Sequence, residues 1–274
     1  MTFYVPAAPP DAFPEPPAAL TFLRHVSAVA GAEIRKLRHD PLELLSRAIQ
    51  PTLWLVVFGQ VMARLRGVPT GRLTYLDFMA PGILAQSVLF IAIFYGIATI
   101  WERDLGILHK LLVSPATRTA LVLGKALSAG VRALSQAVIV YVLAVLMRID
   151  VNFHPMNVIG VLVLIIMGSA LFSMFSVVMA CLVKTRERFM GIGQILTMPL
   201  FFASNAIYPI SLMPGWLRTL SAINPLTYQV DALRALMVTG GVSTLGLGVD
   251  FSVLLLGVAV FVGLAARLYP SMVT

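Results

Sequence analysis

Charge is scarce in this sequence. Asp, Glu, Lys and Arg make up 12% of the 274 residues, about half the share of an ordinary soluble domain. A single soluble globular domain is excluded on that ground. There is one cysteine, Cys181, so no intramolecular disulfide can form. It reads as a small buried apolar residue near a span end. Phosphate-binding loops are missing too. Gly124-Lys125 imitates the end of one, but Ala126 follows the lysine and Thr119 stands where the first glycine belongs. The chain is therefore expected to bind no ATP of its own. H-E-x-x-H, G-x-S-x-G and paired cysteines are absent, and His25, His39, His109 and His154 are scattered. An intramembrane enzyme would need a dyad or metal cluster, and none is visible. A secondary carrier would need acids within its spans or an internal repeat, and the hydrophobic runs offer almost none of the former and nothing of the latter. The first 19 residues hold six prolines and no Lys or Arg. That is the reverse of a signal peptide, and residues 1–19 read as a disordered, proline-rich tail.

What the chain has in abundance is apolar sequence, 59% of residues, in runs near the roughly 20 residues that cross about 30 Å of hydrocarbon. This predicts an all-α membrane protein. Residues 20–40 carry Leu23, Val26, Ala30, Ile34 and Leu37 on one face and mostly basic groups on the other. They read as an amphipathic interfacial helix, ended by Asp40-Pro41. A transmembrane domain over 41–270 follows, with six spans near 44–63, 76–100, 121–147, 157–183, 189–208 and 245–268. The second is expected to break early, at Pro81-Gly82. Net charge is +8, but the basic residues lie in loops between spans, not in one patch. They speak for membrane orientation and against nucleic acid. With the N-terminus inside, 12 Lys and Arg fall on the cytoplasmic side and 6 outside, which places both termini in the cytoplasm.

Between the second and third runs lies a polar island, Trp101 to Lys125. Leu105, Leu108, Leu111 and Leu112 repeat at helical spacing, and Glu102, Arg103 and Asp104 precede them. A short amphipathic helix is expected there, its acids at the helix start where the dipole favours them, broken by Ser114-Pro115. Arg132, a lone charge within the third span, is expected near the inner interface, paired with Glu187 or Glu102. Gln60, Gln86, Gln136 and Gln194 lie in or near spans, where each amide needs a hydrogen-bond partner.

A second patterned stretch is Pro209 to Gly241, too polar to span and rich in apolar residues. Pro214 opens a short helix with Leu217, Leu220 and Ile223 on one face. Asn224-Pro225 opens a second, with Leu226, Val230, Leu233 and Met237 in one stripe and Asp231 and Arg234 paired on its polar side. Together they predict a re-entrant outer hairpin that packs over the outer end of a transport path and acts as an outer gate, built from Asn224, Pro225, Tyr228, Asp231 and Arg234.

Glu102, Arg103, Gly106, Leu108, Leu111, Leu112, Ser114, Pro115 and Arg118, followed by Gly124-Lys125, match a run in the cytoplasmic loop of the ABC-2 type exporter permeases. The chain resembles that family, close to its daunorubicin-resistance multidrug branch. Asn224 to Arg234 matches a second run of the family, and the resemblance covers roughly residues 35 to 270. It implies a permease subunit in a prokaryotic inner membrane, paired with a separate ABC ATPase that carries the ATP and Mg. It also implies a second permease copy, as homodimer or heterodimer. The island becomes a coupling helix in which Glu102, Arg103, Asp104, Leu105, Gly106, Leu108, Leu111, Leu112, Ser114, Pro115 and Arg118 meet the ATPase, the leucines entering a groove on it. The interfacial helix touches the same partner. The second and fifth spans would line the dimer interface, where Phe90, Phe94, Met198, Phe201 and Phe202 offer a polarizable surface for an amphipathic drug-like or lipid-like substrate. A lipid-linked glycan or polysaccharide is the alternative cargo.

Overall fold

The computed structural model describes residues 48–65, 68–106, 118–183 and 185–268. The tail, the interfacial helix and the island residues Leu108, Leu111, Leu112, Ser114 and Pro115 lie outside them. Eight helices make up the described chain: α1 (Ala48–Leu65), α2 (Tyr75–Asp104), α3 (Arg118–Leu146), α4 (Pro155–Leu182), α5 (Arg186–Phe202), α6 (Gly215–Ile223), α7 (Pro225–Met237) and α8 (Leu247–Leu268). A 3-10 turn, Ile210–Leu212, precedes α6. No strand occurs among the described residues; Val151 and Val238 make an isolated antiparallel bridge.

Five helices, α1, α2, α3, α4 and α8, are long and apolar enough to cross a membrane. The run expected to span 189–208 is different. Helix α5 covers 17 residues, about 26 Å at 1.5 Å per residue, and stops at Phe202, where Ala203 turns the chain. It falls short of a full hydrocarbon thickness. Helix α2 corrects a further expectation, the early break at Pro81-Gly82. It runs unbroken through Pro81 for 30 residues, about 45 Å. Proline here removes one amide donor without ending the helix, and Gly82 lets α2 meet the turn after α5: a Cβ there would lie 2.5 Å from the Ala206 carbonyl oxygen. Its start is fixed by a capping box. The Thr74 hydroxyl accepts from the Asp77 amide, and the Asp77 carboxylate accepts from the Thr74 amide at 3.1 Å. Helix α1 contains a π-helical stretch, Leu53–Gly59, a feature that often marks functional positions.

Between helices in lipid, burying apolar surface gives little net drive, so close approach of small residues and interhelical hydrogen bonds carry the packing. The contact of α2 with α4 shows this. Gly96 donates its amide to the Ser176 hydroxyl at 3.0 Å, and that hydroxyl donates to the Ile93 carbonyl. A Cβ at Gly96 would lie 2.3 Å from the Ser176 oxygen. Helix α7 lies in the bundle beside α4. Leu236 fills the space over Gly160 and Gln229 the space over Gly168, so the two helices run antiparallel. The start of α7 is its deeper end, and Met237 emerges beside the α3–α4 loop. There the Asn152 amide donates to the Met237 carbonyl and the Thr239 amide to the Asp150 carbonyl, each at 2.8 Å. Helices α6 and α7 are the two short helices expected from sequence, and Asn224 closes the first and opens α7. Its Leu226, Val230, Leu233 and Met237 stripe is fully buried.

Candidate functional site

Three sites lie along α2, one at each end and one between. At its C-terminal end stand Glu102 and Asp104. The sequence suggested that these acids open a helix; in the structure they close one, with Leu105 as cap and Gly106 at φ 68°. The helix runs straight out of its span and needs a left-handed residue to leave it, which glycine supplies. Acids at this end face the negative pole of the dipole, so cations hold them. Glu102 takes a salt bridge from Lys125 of α3, whose ammonium also donates to the Thr99 hydroxyl at 3.1 Å. Asp104 accepts from Arg103 and from Arg186 at the start of α5, the latter at 2.7 Å, while the Arg186 guanidinium lies 4.6 Å from the Trp101 ring centre. Leu105 is exposed. Arg118 begins α3. Three helices are therefore tied by charge where α2 meets the island.

About two turns further into the bundle, α1, α2 and α3 enclose a cleft of about 340 Å³. Phe90 and Phe94, stacked at 6.2 Å, line it with Gln50, Tyr95, Arg132 and Gln136. Arg132 was expected beside Glu102 or Glu187. Glu102 is held by Lys125, and the Arg132 guanidinium lies 5.7 Å from the centre of the Tyr95 ring. Of the five substrate-path candidates, only Phe90 and Phe94 are among its lining residues. Phe201 is fully buried against Trp54 and Phe202, and Met198 and Phe202 are elsewhere on α5. The expectation that intramembrane glutamines find partners holds only in part for two: among the described residues the Nε2 atoms of Gln86 and Gln136 are buried without one.

At the N-terminal end of α2, Phe78 meets the hairpin. Asp231 and Arg234 were expected to pair on the polar side of α7. Both are buried, at 0% and 5% exposure, because α7 has protein on two sides. The Asp231 carboxylate accepts from Asn205 Nδ2 at 3.2 Å, Ser243 Oγ at 3.1 Å, Thr244 Oγ1 at 2.9 Å and the Leu245 amide at 2.9 Å. Arg234 lies 3.8 Å from that carboxylate and donates to the carbonyls of Phe78 at 3.2 Å and Asn205 at 2.6 Å. Its guanidinium sits 3.8 Å from the Phe78 ring centre. Burial pulls the Arg234 pKa down to about 10, against the pull of Asp231, which leaves it charged at neutral pH. Ser243 also reaches Asp250 at 2.8 Å; one hydroxyl hydrogen serves two buried carboxylates. Asn224 caps α7 by accepting from the Leu226 amide at 3.0 Å, and its Nδ2 donates to the Leu200 carbonyl at 2.7 Å. Tyr228 donates to the Ala222 carbonyl at 2.6 Å, stapling α6 to α7. Of the five residues singled out from sequence here, Asp231 and Arg234 are brought together with four that were missed, Phe78, Asn205, Ser243 and Thr244, whereas Asn224 and Tyr228 bond at the α6–α7 turn. Ser243-Thr244 before Gly246 was a readable turn signal; Phe78 and Asn205 carried none.

Five long apolar helices packed around buried charged groups define a polytopic membrane protein. A family model for ABC-2 type transporters matches residues 24–238, and the chain belongs to that family. Similar proteins include the ycf38 transport permease of Cyanophora paradoxa, 29% identical over 73% of this chain and 70% of its own length. The daunorubicin resistance ABC transporter permease DrrB1 of Streptomyces coeruleorubidus is 27% identical over 85% of this chain and 81% of its own. The inner membrane transport permease YadH of Escherichia coli K12 is 23% identical over 80% and 83%.

Proposed function

We propose that this chain is the membrane subunit of an ATP-driven exporter, working as a dimer with a separate ATPase and moving an amphipathic, drug-like or lipid-like substrate outward. One observation carries the reading: α2 is a single unbroken helix joining all three sites. At one end Glu102 and Asp104 bind α3 and α5 through Lys125 and Arg186. In its middle Phe90 and Phe94 wall the cleft. At the other end Phe78 holds Arg234 of the hairpin. A helix unbroken over 30 residues, short of one amide donor at Pro81, is a stiff element, so displacing its island end moves the cleft wall and the hairpin contact together. The island would receive that displacement from the ATPase. The cleft would hold the substrate, and the hairpin would open when Phe78 shifts from under Arg234.

In this arrangement both termini are cytoplasmic, and α5 with the turn after it makes the sixth crossing, the hairpin sealing the thickness that α5 leaves uncovered. The relatives support transport as the activity. The daunorubicin resistance that DrrB1 is named for supports an amphiphile as cargo, and so do the stacked aromatics in the cleft. The test is co-reconstitution of the chain with its ATPase in proteoliposomes. Glu102→Ala should leave ATP hydrolysis within about twofold while export of a fluorescent amphiphile falls at least tenfold. Equal export by the variant at equal incorporation would overturn the coupling path.

A further inference from the structure

We propose that the buried corner between α7 and α8 is a proton-binding site: Asp250 holds one proton while the hairpin is closed, and its release loosens α7 from α8. Asp231 and Asp250 meet through Ser243, at 3.1 Å and 2.8 Å from its Oγ. Both residues are 0% exposed. Asp231 is matched as an anion, by Arg234 and by three donors besides Ser243. Asp250 is not. Among the described residues no ion pair includes it, and its Oδ1 is buried with no hydrogen-bond partner. A second acceptor beside the pair is bare too. Asn205, 2% exposed, gives its Nδ2 to Asp231 while its Oδ1 has no partner.

Counting hydrogens locates the proton. Ser243 has one hydroxyl hydrogen, and its oxygen also accepts from the Gly246 amide at 2.7 Å. When it donates to Asp231, an ionised Asp250 would face only the lone pairs of that oxygen, buried and without a donor, which desolvation penalises heavily. A proton on Asp250 Oδ2 removes the conflict. Asp250 then donates to Ser243, and Ser243 donates to Asp231. Ser243 gives one hydrogen and receives two, its full capacity. Oδ1 becomes a neutral carbonyl oxygen, for which a missing partner costs far less than for an anion. The 2.8 Å separation is ordinary for O–H···O. Three helices pack against α8. Helix α7 brings Asp231 and Arg234, while its Tyr228 bonds Ala222. Helix α4 has no Asp, Glu, Lys, Arg, His or Tyr, and its Cys181 lies at its other end. Helix α3 carries Arg118, Lys125 and Arg132 in its first half and Tyr141 further on, against Phe153. Arg148 and Asp150, on the loop after α3, are exposed. Asp231 is thus the charge that an ionised Asp250 would meet, and two carboxylates sharing a site resist ionising together. Losing the proton sets like charges on α7 and α8 and breaks the relay through Ser243.

The consequence for transport rests on the reading of the hairpin as the outer gate; the proton site does not, so it is tested on the full-length chain in nanodiscs without export. Infrared spectra of the chain with isotope-labelled aspartate carboxyls should show, at neutral pH, a carbonyl band of a protonated acid that Asp250→Asn removes. Asparagine offers a neutral carbonyl and an N–H donor, as the protonated acid does. Asp250→Asn should therefore melt within about 2 °C of wild type or above it, whereas Asp231→Asn should fall by at least about 6 °C. The folded chain keeps a proton that an exposed carboxyl has lost by neutral pH. Wild-type melting should thus fall as pH rises through the point where Asp250 releases it, and Asp250→Asn should lose that fall. Should Asp231→Asn fail to fold, the infrared band and the pH response of Asp250→Asn carry the test. No acid band lost in Asp250→Asn would overturn the proton site. So would Asp250→Asn melting as far below wild type as Asp231→Asn, which would show that Asp250 is ionised. Melting that rises with added sodium or magnesium, with no acid band, would put a metal ion in place of the proton and overturn the site as well.

Discussion

Removing the Asp231 carboxylate should do more damage than any other single side-chain truncation in the hairpin. Asp231→Ala withdraws an acceptor from four donors, Asn205, Ser243, Thr244 and the Leu245 amide, and takes the facing charge from Arg234, which is 5% exposed. Breaking one side of a buried pair costs about 3–5 kcal/mol, because the other charge stays behind uncompensated. For a chain of this size that corresponds to a fall in melting temperature of about 6–20 °C. Replacing both partners, Asp231→Ala with Arg234→Met, removes the orphaned charge and should recover at least about 2 kcal/mol of the loss. The assay is thermal unfolding in detergent micelles, followed with a thiol-reactive dye at Cys181, a free, partly exposed cysteine. Equal transitions for the single and double variants would refute the reasoning, as would a shift of under 2 °C for Asp231→Ala. Either result would mean that Arg234 is solvated and the hairpin is not closed over the bundle.

Gly106→Pro should uncouple hydrolysis from export as Glu102→Ala does, because φ is 68° at Gly106 and proline is locked near −65°; proteoliposome flux against ATPase rate measures it. Gly96→Leu should abolish stable folding, since even a Cβ there would lie 2.3 Å from the Ser176 hydroxyl and 2.5 Å from Phe189; normal yield and melting would contradict the α2–α4 contact. In a Cys181→Ser background, cysteine at Thr117 should label from the cytoplasmic side alone and cysteine at Gly71 from outside, and the reverse pattern would invert the topology. Cysteines at Gly215 and Gly240 should label from one side, and opposite sides would make the hairpin a crossing.

The apolar runs located the five long helices among the described residues to within a few residues, because length and composition set a membrane span with little help from tertiary context. The Asn224-Pro225 start was equally legible, since cap chemistry is local: Asn224 accepts from the Leu226 amide two residues on. What the sequence hid depended on distant partners. The sequence left open whether Asp231 and Arg234 are exposed or buried, because i,i+3 spacing is the same on either face; their burial comes from Phe78, 156 residues before Arg234, and from Asn205. Glu102 looked like a helix start because the break at Gly106 is a matter of backbone sign. Its holder, Lys125, lies 23 residues away on another helix. The premature end of α5 was masked by Phe201 to Tyr208, apolar enough to pass for more span. Arg132 was read by its depth alone, whereas Tyr95 and Gln136 give it a cleft to line.

The central claim is that this chain exports only with a separate ATPase driving α2 from its island end. The most direct measurement is ATP-dependent movement of a fluorescent amphiphile in proteoliposomes, with the chain reconstituted alone and with the ABC ATPase that co-purifies with it in mild detergent. The account predicts co-purification of the two proteins in equal numbers. It predicts transport only when both are present with hydrolysable ATP, and its loss with Glu102→Ala while hydrolysis continues. Transport by the chain alone, or failure of any ATPase to co-purify with a chain that still exports in cells, would contradict it.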